Sequence, residues 1–254
     1  MIQNPLIELW QRDAAAYTGW LNLPSSWSAE VMAHAGYDAL VIDMQHGLMD
    51  RAGMLAMLQA IGAAGVPGLV RTSWNEPSAL MQALDAGAYG VICPMVGTAE
   101  ECEAMVSACR YPPRGLRSFG PTRSLVSIGA DYLARAATFA LTFAQIETAA
   151  GLANVEAIAG VPGLDGLYVG PWDLSLAMGL PEPGNLLDPA LSQALDRILA
   201  AARSRGLVAG IYTGSPEDGL MMAARGFRLV NVATDTSLLQ RGAVEAARRA
   251  KGGR

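Results

Sequence analysis

Two acidic residues end consecutive apolar runs: Glu147 in Phe143-Ala144-Gln145-Ile146-Glu147-Thr148, and Asp173 in Tyr168-Val169-Gly170-Pro171-Trp172-Asp173-Leu174. A carboxylate at the end of a buried strand loses hydration and needs a compensating partner. Two at matching positions on neighbouring strands suggest one shared cation. Neither has Cys or His beside it, so the donors are oxygens, which suits Mg²⁺ or Mn²⁺ better than Zn²⁺. Two protein carboxylates would leave about four of six octahedral positions for water and a chelating substrate. The simpler alternative is that each acid caps a helix or pairs with an arginine, and Glu147 does stand just before a helix start at Ala149-Ala150.

Other polar residues collect at strand ends. His46 follows Asp43 by three residues, next to Gly47, where an imidazole can move protons near neutral pH. The plain alternative is a loop histidine hydrogen-bonded for structure. Asp43 is expected either to orient His46 or to hold the water shell of the metal. Arg71 ends an apolar strand; a guanidinium there can bind a carboxylate or stabilise a developing oxyanion. It can equally form an internal salt bridge to Asp43 or Glu147, and an empty site allows both. His34 reads as a structural or exposed helix residue. Lys251, in the C-terminal tail, is the only lysine. A Schiff-base mechanism needs a lysine inside the pocket, and a Walker-type phosphate loop needs one too, so both classes are disfavoured.

The elements that must position these groups alternate. Short apolar runs centre on Gly19–Leu23, Ala39–Asp43, Gly68–Arg71, Gly90–Pro94, Ala140–Ile146, Gly166–Gly170, Val208–Tyr212 and Leu229–Val232. Amphipathic stretches lie between them: Ser28–Ala35, Arg51–Ala63, Pro77–Ala86, Thr98–Cys109, Ala149–Ala159, Pro189–Ser204, Pro216–Ala224 and Thr236–Ala250. Gly36, Gly87, Gly206 and Gly226 fall just past helix ends, where a left-handed residue stops a helix. Eight strand–helix units predict a (β/α)8 barrel, α/β in class, as one domain over residues 1–254. An open doubly wound sheet is the alternative, but no G-x-G-x-x-G follows the first strand. The longest interruption, Tyr111–Ala130, has the length and composition of a functional loop.

Composition narrows the partners. The 254 residues are 52% hydrophobic and 16% charged, with a formal net charge of −5, which argues against nucleic acid and against a membrane surface. No apolar stretch reaches the ~18 residues of a membrane span. The start, Met1-Ile2-Gln3-Asn4-Pro5, lacks the pattern of a signal peptide. Cys93, Cys102 and Cys109 have no metal spacing and read as reduced thiols, so a cytoplasmic protein is expected.

Six segments then carry a resemblance: Asp43-Met44-Gln45-His46-Gly47, Val70-Arg71-Thr72-Ser73-Trp74-Asn75, Pro94-Met95-Val96, Arg110-Tyr111-Pro112-Pro113-Arg114-Gly115, Gln145-Ile146-Glu147-Thr148 and Val169-Gly170-Pro171-Trp172-Asp173-Leu174-Ser175. In order and spacing they resemble the HpcH/HpaI aldolase family, nearest in type to 4-hydroxy-2-oxoheptanedioate and 2-keto-3-deoxy sugar-acid aldolases. The resemblance implies a class II pyruvate aldolase. It makes Glu147 and Asp173 the metal ligands, for Mg²⁺ or Mn²⁺ with Co²⁺ as a further candidate. The metal would chelate pyruvate, and Arg71 would stabilise the enolate. His46 would do acid/base work supported by Asp85, and Gln145 would line the pyruvate site. It also implies a homo-oligomer, a hexamer with an exchanged C-terminal helix, so Asp85 would act across a subunit boundary or else form a helix-end salt bridge. Gln45 departs from the family, where many members carry Glu before the histidine.

The substrates expected are pyruvate and an aldehyde. Trp20, Trp172, Tyr212, Ser118 and Arg123 are the residues expected to meet the aldehyde; Arg117 or Arg123 would bind a distal carboxylate if their loop covered the mouth, and otherwise would be solvated. Oxaloacetate decarboxylation through the same enolate, acyl-CoA cleavage and a non-catalytic scaffold are the alternatives.

Overall fold

The computed structural model describes residues 3–252. Eight parallel strands close a barrel in sequence order: β1 Ala16–Leu21, β2 Ala39–Asp43, β3 Gly68–Arg71, β4 Gly90–Cys93, β5 Leu141–Ile146, β6 Gly166–Val169, β7 Val208–Ile211 and β8 Leu229–Thr234. The helices are α1 Pro5–Gln11, α2 Ser26–Ala33, α3 Arg51–Ala63, α4 Pro77–Asp85, α5 Ala99–Cys109, α6 Ser124–Ser127, α7 Tyr132–Phe139, α8 Ala149–Ala153, α9 Val155–Ala159, α10 Pro171–Ala177, α11 Pro189–Ser204, α12 Pro216–Arg225 and α13 Asp235–Ala250. The expected (β/α)8 barrel is therefore the fold.

Local signals explain most boundaries. Asp50, Thr98, Ser215 and Thr234 cap the helices they precede, and Pro77, Pro171, Pro189 and Pro216 open theirs. Gly36, Gly87, Gly206 and Gly226 all take positive φ after helix ends. Several elements differ from expectation: β8 runs on to Thr234 rather than ending at Val232, and α1, α6, α7 and α10 were not expected. Strand β1 starts and ends earlier than Gly19–Leu23, because the Asn22 and Leu23 amides donate to the Asp235 carboxylate rather than to a strand ladder. Helix α2 starts at Ser26, capped by Ser25, whose side chain accepts from the Ser28 amide. The stretch 149–159 is two helices that turn at Asn154, whose Nδ2 donates to the Gly97 carbonyl at 2.8 Å. Trp172 and Asp173, expected at the end of the sixth strand, instead form the first turn of α10.

Three apolar clusters result, the smallest of them around Ile128, Tyr132, Ala136 and Phe139. A second lies between the sheet and the surrounding helices. The third fills the barrel, from Ala16, Val41 and Leu69 to Phe143 and Tyr168. Helix α1 closes the end of the barrel where the strands begin: Leu6 joins the interior core, and Trp10 meets the edge of Phe143 at 6.1 Å. The Tyr111–Ala130 segment does not cover the mouth. Arg117, 1% exposed, pairs with Asp85 at 2.7 Å, and Arg123 donates to the Ala86 and Leu58 carbonyls. Arg117 is therefore tied to the end of α4 and Arg123 joins that end to the middle of α3, and neither binding at the mouth nor full solvation describes them.

Candidate active site

A cavity of about 410 Å³ opens at the C-terminal ends of the strands, the end at which barrels of this kind carry their chemistry. Trp20, Asp43, His46, Arg71, Gln145, Trp172, Asp173 and Tyr212 line it. Glu147 sits immediately behind this wall, 2% exposed, and Gln145 Nε2 donates to its Oε2 at 2.5 Å. Asp85 stands apart, at the end of α4, held by Arg117.

Register brings Asp43 and Arg71 together, since they are paired positions on β2 and β3. Arg71 donates through Nε to Asp43 Oδ1 at 2.9 Å and through Nη2 to Oδ2 at 2.6 Å, the bidentate fork that fixes a guanidinium in plane. Its Cζ lies 5.0 Å from the centre of the Trp20 ring. Burial pushes the Asp43 carboxyl up, but the Arg71 hydrogen bonds and charge reverse this and hold it below the ordinary range. Asp43 also accepts the backbone amides of Gln45 and His46, at 3.0 and 3.2 Å. The carboxylate thus anchors the loop that carries His46, and its partner in that residue is the amide rather than the imidazole. His46 is exposed at the rim, and His34 is exposed where α2 ends.

Glu147 has the opposite electrostatics. Burial raises its pKa; the Met95 amide and the Gln145 side chain pull it down, and Asp173 pushes it up again. Met95 takes the left-handed φ of +60° and donates its N–H to Glu147 Oε1 at 2.8 Å. Such a conformation costs roughly 1–2 kcal/mol in a residue other than glycine. Gly170 lets β6 pass close by: a Cβ there would stand 2.5 Å from Glu147 Oε2 and 2.9 Å from Gln145 Nε2.

These donors fit a hard divalent cation. Glu147 is a buried carboxyl whose described hydrogen-bond donors are neutral, Asp173 faces the same cavity, and Gln145 Oε1 is buried without a hydrogen-bond partner. Among the described residues no group of three or more His, Cys, Asp or Glu gathers. The protein thus offers carboxylate oxygens in small number, the pattern of an ion that keeps water or substrate ligands.

Aromatic groups form one wall. Trp20 and Tyr212 meet edge to face at 5.4 Å, and Trp172 and Tyr212 at 6.3 Å. Gly184, at φ +79°, seats Trp172, since a Cβ there would reach its ring at 2.5 Å. Sequence reasoning gave no role to Asn22, Tyr168, Thr213, Gly214, Thr234 and Ser237, which also line the cavity, although Asn22 and Thr234 were legible as strand-end positions. Most stand at or just past the ends of β1, β7 and β8, so the strand-end rule contained the signal; Tyr168 faces inward one position before the end of β6.

A closed parallel barrel with an arginine, a histidine and acidic groups gathered where its strands end is the architecture of a (β/α)8 enzyme. A family model described as HpcH/HpaI aldolase/citrate lyase matches residues 17–241. A hydroxypyruvate/pyruvate aldolase from Rhizorhabdus wittichii RW1 is 41% identical over 236 residues, 93% of this chain and 94% of that protein. A 4-hydroxy-2-oxo-heptane-1,7-dioate aldolase from Salmonella arizonae is 38% identical over 227 residues, 88% of this chain and 86% of that one. The crystal structure of an HpcH/HpaI aldolase/citrate lyase family protein from Burkholderia cenocepacia J2315 superposes with a TM-score of 0.89 at 35% identity, covering 98% of this chain and all of that one. The chain belongs to the HpcH/HpaI aldolase/citrate lyase family, and it is a carbon–carbon lyase. Among the described residues no helix is long and apolar enough to cross a membrane.

Proposed function

We propose that the protein is a divalent-metal-dependent pyruvate aldolase, which reversibly cleaves a 4-hydroxy-2-oxo acid to pyruvate and an aldehyde. The observation that carries this reading is Glu147, a carboxyl that burial drives toward protonation, kept beside Asp173 with neutral donors. Glu147 and Asp173 would hold the ion, which when bound supplies Lewis-acid polarisation of the oxo acid. Mg²⁺ or Mn²⁺ suits the oxygen donors, and Co²⁺ is the further ion to test. Arg71, held in plane by Asp43, presents positive charge to the oxygen on which the enolate develops. His46 at the rim takes the proton of the 4-hydroxyl during cleavage and returns it during synthesis. Gln145 keeps Glu147 in place and lines the pyruvate end; Trp20, Trp172 and Tyr212 line the aldehyde end.

The oligomer belongs to the same proposal. Helix α13 leaves Leu239 and Val244 more than 60% exposed, a face that packing with neighbouring subunits in a hexamer would cover. Asp85 is remote from the cavity of its own chain, so a part in proton transfer requires a neighbouring subunit. Three buried, free thiols suit the cytoplasm as the location.

The test is metal removal. After EDTA treatment, with loss of metal verified by mass spectrometry, pyruvate release from a 4-hydroxy-2-oxo acid should stop and return with Mg²⁺, Mn²⁺ or Co²⁺. Full activity in the stripped protein would overturn the reading.

A further inference from the structure

We propose that Asn22 and Asp235 are positioning residues for Arg71, so that the start of α13 sets the geometry of the guanidinium facing the substrate. The inference rests on the reading of Arg71 as the group that stabilises the enolate oxygen. Asp235 is a carboxylate only 4% exposed, and no ion pair is described for it. Burying a charge without a counter-charge is costly unless hydrogen bonds replace its water. The Asn22 and Thr236 amides donate to Oδ1 at 2.9 and 2.7 Å, and Thr236 Oγ1 donates to it at 3.3 Å. The Leu23 amide and the Ser28 hydroxyl donate to Oδ2 at 3.2 and 3.1 Å. This clamp ends β1 and holds the backbone of Asn22. From that fixed backbone, Asn22 Nδ2 donates to Asp43 Oδ2 at 3.0 Å.

The consequence falls on the Asp43 fork. The Gln45 and His46 amides fix Asp43 Oδ1, and Asn22 supplies a fixed donor to Oδ2 from a different strand end. With both oxygens held, the carboxylate plane is set before Arg71 engages it, and the guanidinium takes its direction from that plane. Without the Asn22 amide, Asp43 can turn with the guanidinium it is meant to aim. Conformational freedom of that kind costs rate rather than binding when the oriented charge acts on the transition state.

The experiment uses the full chain with pyruvate alone. Exchange of pyruvate methyl protons in D₂O with Mg²⁺, followed by proton NMR, reads enolate formation without any aldehyde. Exchange of the Arg71 Nε–H, followed by 15N NMR in metal-free protein, reads the fork directly. Asn22→Ala and Asp235→Asn should each slow pyruvate exchange about tenfold at saturating pyruvate, the loss expected for one hydrogen bond to a charged group. The pyruvate KM should stay within about twofold, and the double variant should be no slower than the slower single one, because both act along one path. Arg71 Nε–H should exchange faster in each variant. Unchanged pyruvate exchange in Asn22→Ala, unchanged Nε–H exchange, or additive losses in the double variant would each overturn the proposal. Should Asp235→Asn fail to fold, Asn22→Ala decides alone, since it leaves the backbone clamp intact. A wild-type protein that exchanged no pyruvate protons would instead remove the aldolase reading, and Nε–H exchange would still judge the relay.

Discussion

At the scale of single residues, two carboxyls of the cavity have opposite electrostatics. Asp43 is held below its ordinary pKa, so it adds stability above the unfolded carboxyl value of about 3.9, and that stability is lost as pH falls through its lower folded value. Asp43→Asn should therefore flatten the acid side of a plot of thermal midpoint against pH, at a cost in stability at neutral pH. Glu147 is raised, so its contribution is present below about pH 4.3 and lost as pH climbs through the higher folded value. At neutral pH without metal it is a liability. Glu147→Gln should raise the Tm of metal-free protein at pH 7, by about 2–4 °C per kcal/mol recovered in a chain of this size. The unpartnered Gln145 Oε1 can accept from the new amide once Gln145 turns over. The same substitution should abolish both turnover, read as pyruvate release, and the Tm gain on adding Mn²⁺, read by calorimetry with and without the ion. Arg71→Ala should lower kcat about 10²–10³-fold, as loss of an oxyanion donor does. It should also cost about 3–5 kcal/mol in urea denaturation, because Asp43 is left buried and unpaired.

At the scale of elements, close approach of strand ends builds the site. Gly170 ends β6 where any side chain would press on Glu147 and Gln145. Gly170→Ala should weaken Mn²⁺ binding by at least tenfold in isothermal titration, in the range of losses caused by disturbing the supports of metal ligands. Gly36 also has no side chain but faces open space at φ +93°. Gly36→Ala should cost about 1 kcal/mol of stability and leave metal binding unchanged. The two glycines look alike in the sequence, and only one of them touches chemistry.

At the scale of the molecule, the two ends of the barrel are specialised. Helix α1 closes one end, while the other is left open as the cavity; the Arg117–Asp85 pair ties the 111–130 segment to the end of α4. Helix α13 leaves the rim with its apolar residues uncovered beyond the first turn. Replacing Leu239 and Val244 together by Glu should convert the proposed hexamer to smaller species in sedimentation velocity, because charge placed in an apolar interface is desolvated without a partner. An unchanged sedimentation coefficient would show that α13 takes no part in assembly.

The alternation of apolar runs and capped helices specified the eightfold strand–helix repeat by itself, because period, caps and left-handed glycines are local properties of the chain, while closure into a barrel over an open sheet was decided by strand pairing. The same alternation put Asp43, Arg71, Gln145 and Glu147 at strand ends, where a barrel gathers them, and Asp173 just beyond one. What it could not contain was pairing across the fold. Arg71 meets Asp43 through strand register, Arg117 meets Asp85 across a loop that composition alone had left free to reach the mouth, and Asp235 ends β1 from 213 residues away. Each of these is a choice among partners distant in sequence, set by closure of the barrel and by the need of every buried charge for a counter-charge or for hydrogen-bond donors, and only the tertiary structure makes it.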